Sequence, residues 1–131
     1  MHPIFAAAFA WALLAASAPA HFFPARPASA TTHVAHGTLL EFAIGNALGT
    51  FTIRTASGSI RRFYVGYPLR VDGGVTQCLH PPRAGFTPSH DECPDWPRDL
   101  VLGRSRVVVR YWTARGPNGR RVAIGSAIDA R

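Results

Sequence analysis

Apolar and polar residues alternate along much of the chain after residue 37, and this period of two predicts β-strands. No window of a dozen residues shows the spacing of an amphipathic helix. Segments rich in glycine, asparagine and serine interrupt the alternation, as expected of tight turns. The pattern therefore predicts an all-β domain, with strands at residues 38–44, 50–55, 59–65, 106–112 and 121–127. Residues 31–36 are expected to form a polar lead-in, with His33 and His36 exposed near a frayed terminus.

Strict alternation assigns a face to each residue of these strands. Leu40, Phe42 and Ile44 share one face of the first predicted strand. The other residues predicted to face inward are Phe51, Ile53, Phe63, Val65, Val107, Val109, Tyr111, Val122 and Ile124. The residues predicted to face outward are Arg54, Arg62, Tyr64, Arg106, Arg110 and Trp112.

The stretch 66–103 differs from the rest because prolines crowd it after Pro68, namely Pro81, Pro82, Pro88, Pro94 and Pro97. Proline fixes φ and removes a backbone donor, so the stretch is expected to be a long loop rather than a run of strands. Trp96 and Phe86 are expected to hold this loop against the rest of the domain. Loops of this length are often functional.

Cys78 and Cys93 are the two cysteines of the chain, and both lie in this loop. An even number of cysteines in an exported protein predicts a disulfide. Such a bond would constrain the unfolded chain by about 3 kcal/mol. The alternative is a zinc site, since Cys78, His80, His90 and Cys93 together offer two thiols and two imidazoles.

The order of the predicted elements resembles that of an OB-fold over residues 37–128. The resemblance rests on a strand that begins at Gly37-Thr38, on the meander GTFTIRTASGSIRRFYVG, and on the closing pair RVVVRYW and RVAIG. It implies a small five-stranded barrel that serves as a binding scaffold. Many OB-folds place a helix between the third and fourth strands, whereas this chain has the Pro-rich loop with both cysteines there. An SH3-like barrel and a small sandwich are the alternatives.

Residues 1–30 are typical of a secretory signal peptide. An apolar run from residue 4 to residue 20 is followed by two small-x-small sites, at residues 18–20 and 28–30. We expect cleavage after Ala30, since Pro24 and Pro27 keep the preceding segment extended, with cleavage after Ala20 as the second choice. A retained anchor is the alternative, although a membrane span needs about 20 strongly apolar residues. The expected mature chain, residues 31–131, is one periplasmic or secreted domain.

The positive charge of the chain limits the classes of ligand that we expect. The formal net charge is +7, and all 14 basic residues are arginine, which partly reflects the coding bias of GC-rich genomes. The outward arginines are interleaved with Tyr64 and Trp112, and such surfaces bind anions through guanidinium groups and stacking rings. In an exported protein, an anionic glycan, a lipid head group or an envelope partner is a more natural ligand than nucleic acid. The alternative is that both rings lie beneath the long loop as a satellite core.

No catalytic constellation is visible in the sequence. Ser89, His90 and Asp91 are adjacent, whereas the members of a catalytic triad come from separate segments. Motifs of zinc proteases, nucleophile elbows and phosphate-binding loops do not occur. The sequence therefore predicts a non-enzymatic binding module without a cofactor. A structural or interaction protein of the cell envelope is the second function class, and a small enzyme or inhibitor that uses the long loop is the third.

Overall fold

The alternating segments form β-strands in a computed structural model that describes residues 18–45, 47–83 and 93–131. Within these residues the chain contains strands and turns but no helix, which confirms the all-β class. The strands are β1 (His33–Ile44), β2 (Gly49–Arg54), β3 (Ile60–Val71), β4 (Gly74–Thr76), β5 (Arg106–Arg115) and β6 (Arg121–Ala130).

Five of these strands close into a barrel. The sheet has the order β2-β1-β5-β6-β3-β4, and an additional pairing of β2 with β3 joins its two ends. β3 pairs with β6 in parallel, while every other pair is antiparallel. β4 forms a short hairpin with the far end of β3 and does not take part in the closure. Closure gives each of the five strands two hydrogen-bonded neighbours, so the barrel itself presents few free edges.

β1 is longer than the alternation predicts and starts at His33, so the expected polar lead-in is part of the barrel. Its first half pairs with β5 and its second half pairs with β2. The two ladders meet at Thr38, which has Arg54 as its partner on one side and Arg106 on the other. Gly37 permits this arrangement, because a Cβ there would lie 2.5 Å from the carbonyl oxygen of Arg54.

A β-bulge in β1 corrects the predicted face of Leu40. The pairing of β1 with β2 shifts between Leu39 and Glu41, so one extra residue enters β1. Leu39 is fully buried, whereas Leu40 is only half-buried. Alternation resumes after the bulge, and Phe42 packs against the core as predicted. A single inserted residue reverses the faces that strict alternation assigns, which is why the sequence pattern selected the wrong leucine.

The structure corrects the predicted faces of Val122 and Ile124 in β6. Val122 is opposite Ala114 and Ile124 is opposite Trp112, whereas Ala123 between them packs against the core. Gly125 faces the barrel interior, because a Cβ there would overlap the ring of Phe51. Its neighbour Ile124 therefore lies on the outer face, where it is nonetheless fully buried. The prediction that Ile124 faces inward is wrong for this reason.

A column of stacked aromatic rings runs through the core of the barrel. Phe51 stacks on Phe42 and on Phe63, with ring centroids 5.3 Å and 5.1 Å apart. Trp96 meets Phe42 edge-on at one end of this column, and Tyr111 meets Phe63 edge-on at the other. Such offset and edge-to-face contacts add to the stabilisation that comes from burying the rings.

The connection from β4 to β5 is shorter than the predicted loop, because β3 continues to Val71 and β4 follows it. Pro68 lies within β3, between Val65 and Arg70, where the pairing of β3 with β6 is irregular and a proline without an N–H is tolerated. The side chain of Trp96 is buried, as expected, and its Nε1 donates a hydrogen bond to the carbonyl oxygen of Leu100. The buried Leu100 and Leu102 also join the core. This connection therefore supplies core residues next to one end of the aromatic column.

The disulfide prediction is confirmed: Cys78 and Cys93 are bonded, with their Cα atoms 5.4 Å apart. The zinc alternative is thereby overturned, since both thiols are consumed. Nearby, Thr76 is buried and its hydroxyl donates to a carboxylate oxygen of Asp95, across the base of the loop. Phe86, Ser89, His90 and Asp91, which the sequence analysis singled out, lie outside the described residues.

Candidate functional site

The candidate site is a pocket on the outer surface of β1, at the point where its two ladders meet. The pocket has a volume of about 290 Å³. We call it the basic pocket, and its lining residues are His36, Gly37, Thr38, Arg54, Thr55, Ala56, Arg106 and Arg131. None of the described residues that line it is acidic.

The strand register explains why basic side chains converge here. Arg54, Thr38 and Arg106 are directly opposite one another on β2, β1 and β5. Residues opposite one another in antiparallel strands share a face, so both arginine side chains lie on the face of Thr38. His36 lies two residues before Thr38 and therefore shares its face. The pairing of β1 with β2 on one side and with β5 on the other thus brings two arginines, from strands that are not themselves paired, to one site.

Arg131 adds a third guanidinium group to the pocket. Its backbone N–H donates to the carbonyl oxygen of Arg106 at 3.0 Å, which extends the ladder between β5 and β6 by one residue. Its Nη1 atom lies 3.5 Å from Nδ1 of His36, at the outer limit of a hydrogen bond. The last residue of the sequence is therefore held against the start of β5.

The basic pocket is lined by arginine side chains without recorded ion-pair partners. Within the described residues, Arg54, Arg106 and Arg131 form no ion pair. All three are exposed, so water solvates them in the free protein. Guanidinium groups present a planar fork of N–H donors that matches the oxygens of phosphate, sulfate and carboxylate. An arrangement of this kind is suited to binding an oxyanion.

The structure divides the six residues of the predicted ligand-binding face. Arg54 and Arg106 come together in the basic pocket. Arg62 is exposed on β3, outside the pocket. Arg110 forms an ion pair with Asp129, with Nη1 and Oδ2 2.6 Å apart, so its charge is largely balanced.

Tyr64 and Trp112 face outward but do not form an open surface. Phe23, from the segment that precedes β1, contacts both rings, with centroid distances of 6.2 Å to Tyr64 and 5.7 Å to Trp112. Trp112 is only 4% exposed as a result. Ile124 is opposite both residues in the strand register and completes this group. We call Phe23, Tyr64, Trp112 and Ile124 the outer aromatic cluster. The two rings are covered, as the alternative expected, but the cover is Phe23 and not the long loop that the alternative named.

Sequence reasoning assigned only Arg54 and Arg106 of the basic pocket to a site, and the polar or charged residues it missed include His36, Thr38 and Arg131. His36 was assigned to a polar lead-in, and Arg131 follows the last predicted strand. Thr38 was placed in a strand but was not singled out. The available signal was the alternation of Ala35, Gly37 and Leu39, which extends the first strand back past His36. For Arg131 no comparable signal exists, because its position depends on how β6 ends against β5.

Two further observations concern the zinc site and the membrane anchor that the sequence left as alternatives. Among the described residues, no group of histidine, cysteine and acidic side chains is arranged to hold a metal ion. The part of the chain that the structure describes also contains no helix long and apolar enough to cross a membrane. Most of the apolar run at residues 4–20 lies outside that part, so the signal peptide and the retained anchor both stay predictions.

Fold and site together define a small, closed, five-stranded mixed β-barrel with a cationic pocket on its surface. The circular strand order and the parallel pairing of β3 with β6 are compatible with an OB-like barrel. Comparison of the chain with protein-family models, with curated proteins and with solved structures finds no match.

Proposed function

We propose that this protein is an exported binding module that holds an anionic group of its ligand in the basic pocket. The observation that carries the proposal is the convergence of Arg54, Arg106 and Arg131 on one concave site without an acidic neighbour. Three like charges repel one another, and because all three side chains are exposed, packing of the core does not require arginine at these positions. Binding an oxyanion would relieve that repulsion.

The shape of the pocket limits the ligand. A volume of about 290 Å³ is near the lower end of the range for small-molecule sites, which starts at roughly 300 Å³. It suits one phosphate, sulfate or carboxylate group together with part of the sugar or glycerol that carries it. The hydroxyl of Thr38 offers a hydrogen bond to such a carrier, whereas that of Thr55 is already hydrogen-bonded to Ser59. An anionic glycan and a lipid head group share this chemistry.

The OB-type assignment is part of the proposal. It is supported by the three-strand meander, by the parallel pairing of β3 with β6 and by the closing hairpin of β5 and β6. In OB-folds, ligands commonly bind across the second and third strands and the adjoining loops. Here the pocket lies at the end of β2 and at the middle of β1, around Thr38. The resemblance therefore supports the scaffold and does not indicate the position of the site.

The test compares two double variants of the full chain that each remove two positive charges. Arg54→Ala with Arg106→Ala removes charge from the basic pocket. Arg62→Ala with Arg110→Ala removes the same charge from the outward face that alternation predicts. Binding is measured at two salt concentrations to three probes: a sulfated oligosaccharide, a polyuronate, and vesicles that contain phosphatidylglycerol.

We expect the pocket variant to lose at least about tenfold in affinity, equivalent to about 1.4 kcal/mol, and the matched variant to lose only a few-fold. The probe bound most tightly identifies the source of the oxyanion. Equal losses in both variants would mean that net charge alone attracts the probe, and the pocket would then not be the site. Binding of none of the three probes would contradict the proposal and favour an interaction protein of the envelope.

A further inference from the structure

The segment just before β1 contributes to the barrel through its backbone. The N–H of Phe23 donates to the carbonyl oxygen of Val65 at 2.7 Å, and the N–H of Tyr67 donates to the carbonyl oxygen of Phe23 at 3.0 Å. Phe23 thereby pairs in parallel with β3 at Gly66. We call residues 21–23 the N-terminal strap.

The strap also completes the start of β2. The N–H of Gly49 donates to the carbonyl oxygen of His21 at 2.7 Å, and Nδ1 of His21 lies 2.8 Å from the carbonyl oxygen of Ala47. Gly49 is buried, so its N–H would have no obvious replacement partner if His21 were absent. A buried donor left without an acceptor is destabilising.

Both phenylalanines of the strap pack closely. Phe22 is 5% exposed, belongs to the main core and meets Tyr67 edge-on at 5.8 Å. Phe23 covers Trp112 and Tyr64 on the outside of the barrel. Removing both would expose a tryptophan that is almost fully buried and open a gap beside the core.

The residues after the strap behave differently. From Pro24 to Ser29 the side chains are exposed, and this stretch serves as a link between the strap and β1. Cleavage after Ala30 would remove the strap together with this link. Cleavage after Ala20 would leave the strap at the very start of the chain and keep all of its contacts with β2 and β3. It would remove one local contact, the hydrogen bond that the N–H of Phe22 donates to the carbonyl oxygen of Pro19 at 3.2 Å.

We propose that the signal peptidase site is Ala18-Pro19-Ala20, that the mature protein begins at His21, and that the strap is a permanent part of the mature barrel. The proposal revises the expectation of cleavage after Ala30, which rested on the local sequence alone. It shares the assumption of export with the proposed function but does not depend on any ligand in the basic pocket. Loss of binding in the pocket variants would therefore leave it standing, and an N-terminus other than His21 on the exported protein would leave the binding proposal standing.

The test expresses the full chain in a bacterial host with a general secretion pathway and determines the N-terminus of the exported protein by mass spectrometry. We expect His21. Because the peptidase needs a small residue directly before the cut, Ala20→Leu should abolish this product, and the matched change Ala30→Leu should leave it unaltered. An N-terminus at Thr31, or an intact Met1 in the membrane fraction, would overturn the proposal.

Amide hydrogen exchange of the exported protein provides the second readout. We expect the amides of Gly49 and Tyr67 to exchange as slowly as those of the barrel strands, because their acceptors belong to the strap. Phe22→Ala should accelerate exchange at both by at least tenfold relative to the amides in the β5–β6 hairpin. Fast exchange at both positions in the unaltered protein would mean that the strap is not held against the barrel, and would overturn its structural role.

Discussion

The basic pocket and the outer aromatic cluster both lie on the outside of the barrel, but the pocket is open to solvent and the cluster is covered. Both consist mainly of side chains that point away from the barrel interior. In the cluster, Phe23 covers Trp112 and leaves it 4% exposed. In the pocket, Arg54 and Arg106 stay open to solvent. Facing outward on a strand therefore does not by itself make a residue part of a binding surface.

The comparison also separates stability from function. Burial of aromatic rings contributes to the free energy of folding, whereas exposed guanidinium groups contribute little. Substitutions in the cluster should therefore change stability, and substitutions in the pocket should change binding. The four predictions below test this division, from the largest expected effect on stability to the smallest.

Trp112→Ala should lower the free energy of unfolding by about 3 kcal/mol, because it removes a nearly fully buried ring from beneath Phe23. Urea denaturation measures the change. Trp112→Phe keeps an aromatic ring and should cost less. A loss below about 1 kcal/mol for the alanine variant would show that the cluster is loosely packed and would remove the contrast with the pocket.

Gly37→Ala should lower the free energy of unfolding by about 2 kcal/mol, since its Cβ would come within 2.5 Å of the carbonyl oxygen of Arg54 and force β1 and β2 apart. The same displacement should weaken binding, because the pocket depends on that approach. Gly45→Ala is the matched control, with no other atom closer than 4.0 Å to its added Cβ. Equal destabilisation in both variants would show that the loss reflects glycine chemistry in general and not the close approach at Gly37.

A double-mutant cycle on Arg110 and Asp129 should give a coupling energy of about 0.5 kcal/mol. Their side chains are 50% and 35% exposed, and ion pairs of this kind are weak. Thermal unfolding of the four proteins at low salt measures the coupling, which should shrink as salt is added. A coupling above about 2 kcal/mol would mean that this ion pair contributes substantially to the stability of the barrel, although Arg110 lies on the outward face that was predicted to bind a ligand.

Arg54→Ala with Arg106→Ala should change the free energy of unfolding by less than about 0.5 kcal/mol, in either direction. Both side chains are exposed, and neither has a carboxylate partner among the described residues. Denaturant unfolding at low salt is the measurement, with Trp112→Ala as the positive control. A loss comparable to that of Trp112→Ala would show that these arginines are structural, and the division between cluster and pocket would then fail.

Much of the fold could be predicted because the physics that decides it is local. Phe51, Phe63, Val107 and Val109 were placed in the core from alternation alone, since a period of two is imposed by the geometry of each strand. The disulfide followed from the number of cysteines. The error at Leu40 arises from the bulge in β1, which alternation cannot reveal because an inserted residue leaves no mark on composition. The errors at Val122 and Ile124 arise because the small residues Ala123 and Gly125 face inward, where the ring of Phe51 needs the space beside Gly125.

Of the candidate site, the sequence indicated Arg54 and Arg106 but not their association. That association depends on the register of β1, which pairs with both β2 and β5 at Thr38 although Arg54 and Arg106 are far apart in sequence. His36 and Arg131 enter the site only because the two halves of β1 pair with different strands and because β6 ends beside Arg106. Registers of this kind are set by closure of the whole barrel.

The amino-acid pattern by itself determined that the domain is all-β, that five main strands build it, that a Pro-rich connection carries a disulfide, and that its charge is strongly positive. Only the tertiary structure decided which outward residues are covered and which are open. The reason is that alternation reports the orientation of a side chain relative to its own strand, whereas exposure depends on what else packs there. For Trp112 that partner is Phe23, 89 positions earlier in the chain, and no local signal links the two.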